Sequence, residues 1–276
     1  MRKKKILLFG VGWLGKELLE SLLGENQDVY VATRDVHKWV SFESKLKLVE
    51  VDFQSADLNV EVTSFDLVII MLPPSGFSNY AQVIKNICLN LTESKHVVYT
   101  SSTGVYQNQE GFVNEESKVD EQHVVFKAEQ EVVKMFPGKY TILRLSGLIS
   151  EDRHPTIHLL KKEKNLGADV PVNLVHRNDV IRAINLLKES EPTSEIYNLS
   201  YPENPSRSDY YNFYAKNFFG RLIIFSGGGH GKTIIGSKFA KIYGYKYKTS
   251  IWGVELNNIS PVSYTHLRAH ETDSYL

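Results

Sequence analysis

Cysteine is nearly absent from this chain: Cys88 is the only one among 276 residues. A single thiol excludes a disulfide framework and a Cys-based zinc site, and it fits a reducing compartment. Net charge is also absent, because 32 Lys and Arg balance 32 Asp and Glu. A neutral chain has no electrostatic footprint for nucleic acid or an anionic membrane, so neither is expected as a main partner. Long hydrophobic runs are missing too. No stretch approaches the ~18 apolar residues that span a bilayer. The basic start at Met1–Lys5, followed by Ile6–Phe9, superficially resembles a secretory leader. The apolar run stops at Gly10, however, and no small-residue cleavage site follows. A soluble, cytoplasmic protein is expected.

What is present is ordinary globular composition, 42% hydrophobic and 23% charged. The length suits one large α/β domain, or a core domain with a smaller lobe. From Val262 the chain reads Val-Ser-Tyr-Thr-His-Leu-Arg-Ala-His-Glu-Thr-Asp-Ser-Tyr-Leu276, with no apolar periodicity. That string resembles the translation of a sequencing adapter, so residues 262–276 are read as a non-native tail and set aside. The His266 and His270 spacing within it carries no weight.

Apolar periodicity alternates between strand and helix. Strands are expected at 5–9, 29–32, 48–51, 67–72, 96–100, 140–145 and 195–199. Helices are expected at 13–23, 78–91, 120–135, 156–164, 178–188 and 208–218. The run 67–72 is almost wholly apolar, as in a strand buried on both faces. Such alternation predicts an α/β fold: a doubly wound, Rossmann-like parallel sheet with helices on both sides. The pattern loosens after Leu148, and Glu151–Pro155 is the best lobe boundary. The expected division is 1–150 for the main domain and 151–261 for a smaller, partly interleaved α/β lobe.

Gly10-Val-Gly12-Trp13-Leu14-Gly15 follows the first strand at once and opens the first helix. In that context G-x-G-x-x-G signals dinucleotide binding. The first glycine permits a tight turn, the second admits the pyrophosphate to the backbone, and the third lets helix and strand pack closely. N–H groups at the helix start then hold the phosphates. An acidic residue ending the second strand would favour NAD, but Thr33-Arg34 stands there, with Asp35 one position later. Arg34 can pair with a 2′-phosphate, which points to NADP; NAD stays open through Asp35.

These features resemble the short-chain dehydrogenase/reductase superfamily, in its NAD(P)-dependent epimerase/dehydratase type and atypical branch, over residues 4 to 255. Val51-Asp52-Phe53 resembles the family's turn beside the adenine. Met71-Leu72-Pro73-Pro74 resembles its cofactor-lining loop. Thr100-Ser-Ser102-Thr-Gly-Val-Tyr106 resembles its Ser-rich strand end, where Ser102 would polarise the substrate oxygen. Leu143–Gly147 and Leu174–Val180 resemble later landmarks. The family's Tyr-x-x-x-Lys is not intact here: His123 stands four residues before Lys127. Positions i and i+4 share a helix face, so the expectation is that His123 replaces the Tyr as acid or base. Lys127 would then bind the nicotinamide ribose. Tyr106 is a second candidate phenol, and Arg153 a candidate for a substrate phosphate.

The resemblance implies an NAD(P)-dependent oxidoreductase or epimerase for a small polar carbonyl or sugar-like substrate, as monomer or homodimer. A catalytically weakened NADP-binding sensor is the alternative. Two other motifs weigh less. Ser226-Gly-Gly-Gly-His-Gly-Lys232-Thr233 nearly makes a phosphate loop but lacks its first glycine, and is read as a flexible loop. His154 and His158 have i,i+4 spacing, but Pro155 intervenes and no glutamate accompanies them, so no metal is expected.

Overall fold

The structure, a computed structural model, describes residues 3–25, 27–42, 44–56, 58, 60, 64–160 and 166–256. The expected tail at 262–276 and the end of the helix expected at 156–164 lie outside the described residues.

The chain begins with β1 (Lys5–Phe9), α1 (Trp13–Gly24), β2 (Asp28–Thr33), β3 (Lys47–Glu50), β4 (Leu67–Ile70), α2 (Tyr80–Leu89) and β5 (Val97–Ser102). Next come β6 (Gly111–Val113), α3 (Val124–Met135), β7 (Tyr140–Leu145), β8 (Gly147–Ile149) and α4 (Pro155–Leu159). The last are β9 (Leu174–His176), α5 (Arg177–Lys188), β10 (Glu195–Leu199), α6 (Arg207–Phe219), β11 (Lys232–Ile234) and α7 (Ser237–Tyr243). Seven strands form one sheet in the order β10-β7-β5-β4-β1-β2-β3. The pairings β1–β2, β1–β4, β2–β3 and β4–β5 are all parallel. This is the doubly wound sheet that the alternating pattern predicts. β4 is buried along its whole length, because helices cover both faces of such a sheet.

Two units make up the described chain. The first holds residues to Val105, Asp120–Arg144 and Ile181–Ile196; the second holds Tyr106–Val119, Leu145–Val180 and the described residues from Tyr197 on. The chain thus passes between units repeatedly, and the boundary expected at 150/151 falls inside a continuous stretch of the second. Branched side chains of β1, β4 and β5 form the core of the first unit, with Leu18, Leu22, Ile84 and Ile87 packed from the helices. The second unit has its own core, in which Tyr210 and Tyr214 of α6 pack with Ile149, Val172, Leu174 and Ile251. Short β6, β8, β9 and β11 pair only within the second unit. At three residues each, they are too brief for any periodicity to reveal.

Helix α3 starts four residues later than the spacing predicts. The Asp120 Oδ1 accepts from Gln122 N–H at 2.9 Å, and the His123 N–H donates to the Asp120 carbonyl at 3.0 Å. That turn holds 120–122 out of the helix, and His123 is extended at φ −61° and ψ 127°.

The glycine run 226–231 is likewise not a loose loop. Ser226 exchanges backbone bonds of 2.9 Å with Leu166 and Ala168. Lys232 lies in a strand rather than at a helix start, and its Nζ donates to the Tyr106 carbonyl at 3.1 Å. Burial pushes that ammonium's pKa down. A phosphate loop needs the lysine at the mouth of a helix, so this motif is structural.

Candidate functional site

In the sheet order, β1 and β4 are neighbours whose chains continue to opposite sides, which is where open α/β sheets bind ligands. The turn after β1 meets the loop after β4 there. Gly10 has φ +85°, and a Cβ on it would lie 2.6 Å from the Met71 carbonyl carbon and oxygen. A Cβ on Gly15 would lie 2.5 Å from the Gly10 carbonyl oxygen. Gly12 differs: a Cβ there meets nothing within 4 Å among the described residues. Gly12 is exposed and begins α1 with no side chain capping the helix. Packing therefore fixes the outer two glycines, while the middle one leaves the helix start open. The open helix start fits a dinucleotide pyrophosphate, which the N–H groups of Trp13, Leu14 and Gly15 would hold when it is bound.

The remaining cofactor candidates lie in the same unit. Thr33 Oγ1 accepts from the Asp35 N–H at 3.2 Å, and Val51 N–H donates to the Thr33 carbonyl at 2.9 Å. Arg34 is exposed, with its guanidinium 5.9 Å from the Phe77 ring centre. Phe77 meets buried Phe53 edge-on, with 6.0 Å between centroids. The Asp35 carboxylate accepts from His37 N–H at 3.1 Å and pairs with Lys38 at 3.4 Å. Asp52 is exposed and caps its own turn by accepting from Gln54 N–H at 2.9 Å. The Tyr80 hydroxyl holds the loop through Leu72, donating to its carbonyl at 2.7 Å. Tyr99 of β5 stands 3.0 Å from that hydroxyl. Pro73 is exposed and Pro74 half-buried beside it.

At the end of β5, Ser102 is buried and its Oγ accepts from Gly104 N–H at 3.0 Å. A Cβ on Gly104 would lie 3.1 Å from Ser102 Oγ and 3.7 Å from His123 Nε2. The structure thus brings Ser102 and His123 to one point. It corrects the expected presentation of His123, which is the N-cap of α3 rather than a residue within it. Its Nδ1 accepts from Val125 N–H at 3.3 Å. Lys127, one turn further along α3, is exposed, and its Nζ donates to Gln122 Oε1 at 2.8 Å. Tyr106 belongs to the second unit, where it is buried and donates to Asn198 Oδ1 at 2.7 Å. A phenol so placed packs rather than presents itself. Arg153 also lies in the second unit, its backbone paired with Ser150 at 2.9 and 3.2 Å.

Sequence reasoning missed the support beneath Ser102. Ser101 Oγ donates to Glu129 Oε1. Arg144 grips the same carboxylate through Nε at 2.9 Å and Nη2 at 2.7 Å. Glu129 is 0% exposed and Arg144 2%. The available signal was an acid on the apolar face of α3, with Val125, Ala128 and Val132, facing an Arg inside an apolar strand.

The model of the NAD(P)H-binding family matches residues 10–185. Protein YeeZ of Escherichia coli (strain K12) is 30% identical over 265 residues, covering 89% of this chain and 96% of that protein. UDP-glucuronic acid 4-epimerase from Bacillus cereus, solved with NAD, is 17% identical with a TM-score of 0.74, over 91% of this chain and 94% of that one. UDP-N-acetylglucosamine 4-epimerase from Bacillus cereus is 15% identical with a TM-score of 0.71, over 92% and 97%. The fold is thus that of epimerase/dehydratase-type proteins, and by its match over 10–185 this chain belongs to the NAD(P)H-binding family.

Proposed function

We propose that this protein is an NADP-dependent oxidoreductase or epimerase acting on a small polar carbonyl or sugar-like substrate in the cytoplasm. The observation that carries the reading is Ser102 Oγ and His123 Nε2 converging on one point beside Gly104. They lie at the carboxyl edge of the sheet whose β1 turn leaves Gly12 clear. When bound, the dinucleotide supplies or accepts a hydride at its nicotinamide. The N–H groups at the start of α1 would hold its pyrophosphate, and Phe53 and the Leu72–Pro74 loop would flank it. Arg34 supports NADP over NAD, because the Asp35 carboxylate is already engaged by His37 and Lys38. Ser102 would polarise the substrate oxygen. Lys127 would reach the nicotinamide ribose by leaving Gln122. The fold-level likeness to nucleotide-sugar epimerases supports a sugar-like substrate.

One observation favours a cofactor-binding sensor instead, namely the engagement of Lys127 with Gln122. The test is NADPH and NADH titration followed by NADPH oxidation over a panel of small aldehydes, ketones and keto-sugars. Binding with turnover of at least one carbonyl supports the enzyme. Tight NADPH binding with no turnover in the whole panel overturns it in favour of the sensor.

A further inference from the structure

The zero net charge holds for the chain as a whole and hides an uneven distribution. From Tyr210 to Val254 the sequence carries seven Lys and Arg and no Asp or Glu, so everything outside that stretch holds an equal excess of acid. The whole stretch belongs to the second unit. Two of its cations are drawn into that unit: Lys232 donates to the Tyr106 carbonyl, and Lys238 lies 5.3 Å from the Tyr197 ring centre. Lys216, Arg221, Lys241, Lys246 and Lys248 are exposed. Of the bordering acids, Glu203 accepts from the Trp252 indole N–H at 2.8 Å, Asp209 accepts from Ser206 Oγ at 2.7 Å, and Glu255 is exposed. The same stretch exposes large apolar side chains. Helix α6 ends at Gly220, whose φ of +63° turns the chain out as Arg221-Leu222-Ile223-Ile224 with no helix or strand. Leu222 is 65% exposed and Ile224 90%. The turn is held in place, since Arg221 N–H donates to the Ala215 carbonyl at 3.3 Å and Ile223 N–H to Asn212 Oδ1 at 2.7 Å. Phe213 and Phe218 of α6 are part-exposed as well, and Phe213 meets Trp252 edge-on at 5.3 Å.

We infer that the 210–254 region of the second unit docks on the surface of an anionic phospholipid bilayer. The exposed cations meet the lipid phosphates, and Leu222 and Ile224 enter the boundary between headgroups and acyl chains. The composition separates this partner from two others. Six of the seven cations are Lys, which protein interfaces deplete while they enrich Arg. The most exposed apolar side chain is the aliphatic Ile224, which offers no ring on which a nucleic-acid base could stack. The acid excess of the remaining chain is repelled by the same surface, and so orients the protein upon it. Such docking needs no spanning segment, and among the described residues no helix is long and apolar enough to cross a membrane. None of these cations or apolar side chains is assigned to the cofactor or to the reaction.

Co-sedimentation of the full chain with vesicles tests this. Vesicles of phosphatidylcholine and phosphatidylglycerol in equal parts should retain the protein, and vesicles of phosphatidylcholine alone should not. Salt at about 1 M, where the screening length falls to about 3 Å, should release it. Lys216→Gln, Lys246→Gln and Lys248→Gln combined should weaken binding about a hundredfold, at about fivefold per cation. Leu222→Ser with Ile224→Ser should weaken it by more than about tenfold. Both variants should keep the native melting temperature. If either does not fold, the contrast between the two vesicle types and the salt release of the native chain decide. No retention by the anionic vesicles, equal retention by both types, or undiminished binding in either variant would each overturn the inference. So would a lipid-free dimer that Leu222→Ser with Ile224→Ser dissociates, which would assign the region to a second copy of the chain. Displacement from the vesicles by a single-stranded oligonucleotide would overturn it in favour of nucleic acid.

Discussion

The ends of β1 and β5 lie on the same edge of one sheet, yet they are built by different means. At β1 the fit is backbone against backbone. Gly10 abuts the Met71 carbonyl and Gly15 abuts Gly10, with separations no side-chain rotation can relax. At β5 the fit is side chain against side chain. Ser101, Glu129 and Arg144 lock together from three segments beneath Ser102, and an imidazole caps the neighbouring helix. A backbone-built site is written in consecutive residues, whereas a side-chain-built site exists only once distant segments have met.

The most damaging way to break the side-chain-built edge is Arg144→Met. It leaves Glu129 buried without its cation, at a cost of about 3–5 kcal/mol. Urea unfolding should show that loss, and the double variant Arg144→Met with Glu129→Leu should recover most of it. A single variant as stable as the native chain would show that the pair does not hold the edge.

Acid compares the two units by a similar magnitude. Burial, with a smaller contribution from Lys4, lowers the His96 pKa from 6.5 to about 4. Burial alone lowers that of His154 to about 3. His96 Nε2 lies 2.9 Å from Thr141 Oγ1, and His154 Nε2 lies 2.9 Å from the Tyr210 hydroxyl. The unfolded chain binds more protons wherever pH is below its own imidazole pKa but above the folded one. Stability from the neutral rings is therefore full above the ordinary 6.5 and is lost as pH falls through about 4 and then about 3. Each ring contributes on the order of 3–5 kcal/mol across its window. Urea midpoints measured from pH 7 to 4 should fall, and the fall should be shallower in His96→Gln. His154→Gln should flatten the curve further at its acid end.

The backbone-built edge separates binding from stability. Gly12→Val should abolish NADPH binding, because its side chain fills the open cradle, and should cost only about 1 kcal/mol of stability. Gly15→Ala should do the reverse, losing stability first, because its Cβ would meet the Gly10 carbonyl oxygen at 2.5 Å. Calorimetry and thermal unfolding on both variants check the contrast. Equal NADPH affinity in Gly12→Val and the native chain would make the turn merely structural.

The same contrast explains what the sequence made legible. The strands at 5–9, 140–145 and 195–199 and the glycine turn were readable because burial and close approach leave a local pattern. His123 and Lys127 were readable as a pair at i and i+4. Their presentation was not, because the Asp120 turn delays α3 and makes His123 its cap. Glu129 and Arg144 looked out of place on apolar elements. Only the approach of α3 to β7 shows that each supplies what the other lacks. The four three-residue strands depend on contacts far apart in the chain, which no local period encodes.

The smallest effect falls at the rim of the backbone-built edge, where the proposed function has Arg34 select NADP over NAD. Its guanidinium has two available partners, and their magnitudes differ. An exposed cation over an aromatic face, here Phe77 at 5.9 Å, is worth about 0.5–1 kcal/mol. A charge-assisted bond to a 2′-phosphate is worth about 1.5–3 kcal/mol, more than tenfold in affinity. A phosphate at that position therefore wins the side chain from the ring. Arg34→Ala should weaken NADP more than tenfold and NAD far less, while stability changes by about 0.5 kcal/mol at most. Arg34→Lys should fall between, since it keeps the charge but not the planar fork. Isothermal titration with both cofactors measures the ratio. Equal losses for NADP and NAD in Arg34→Ala would assign Arg34 to Phe77 and return the ribose to Asp35.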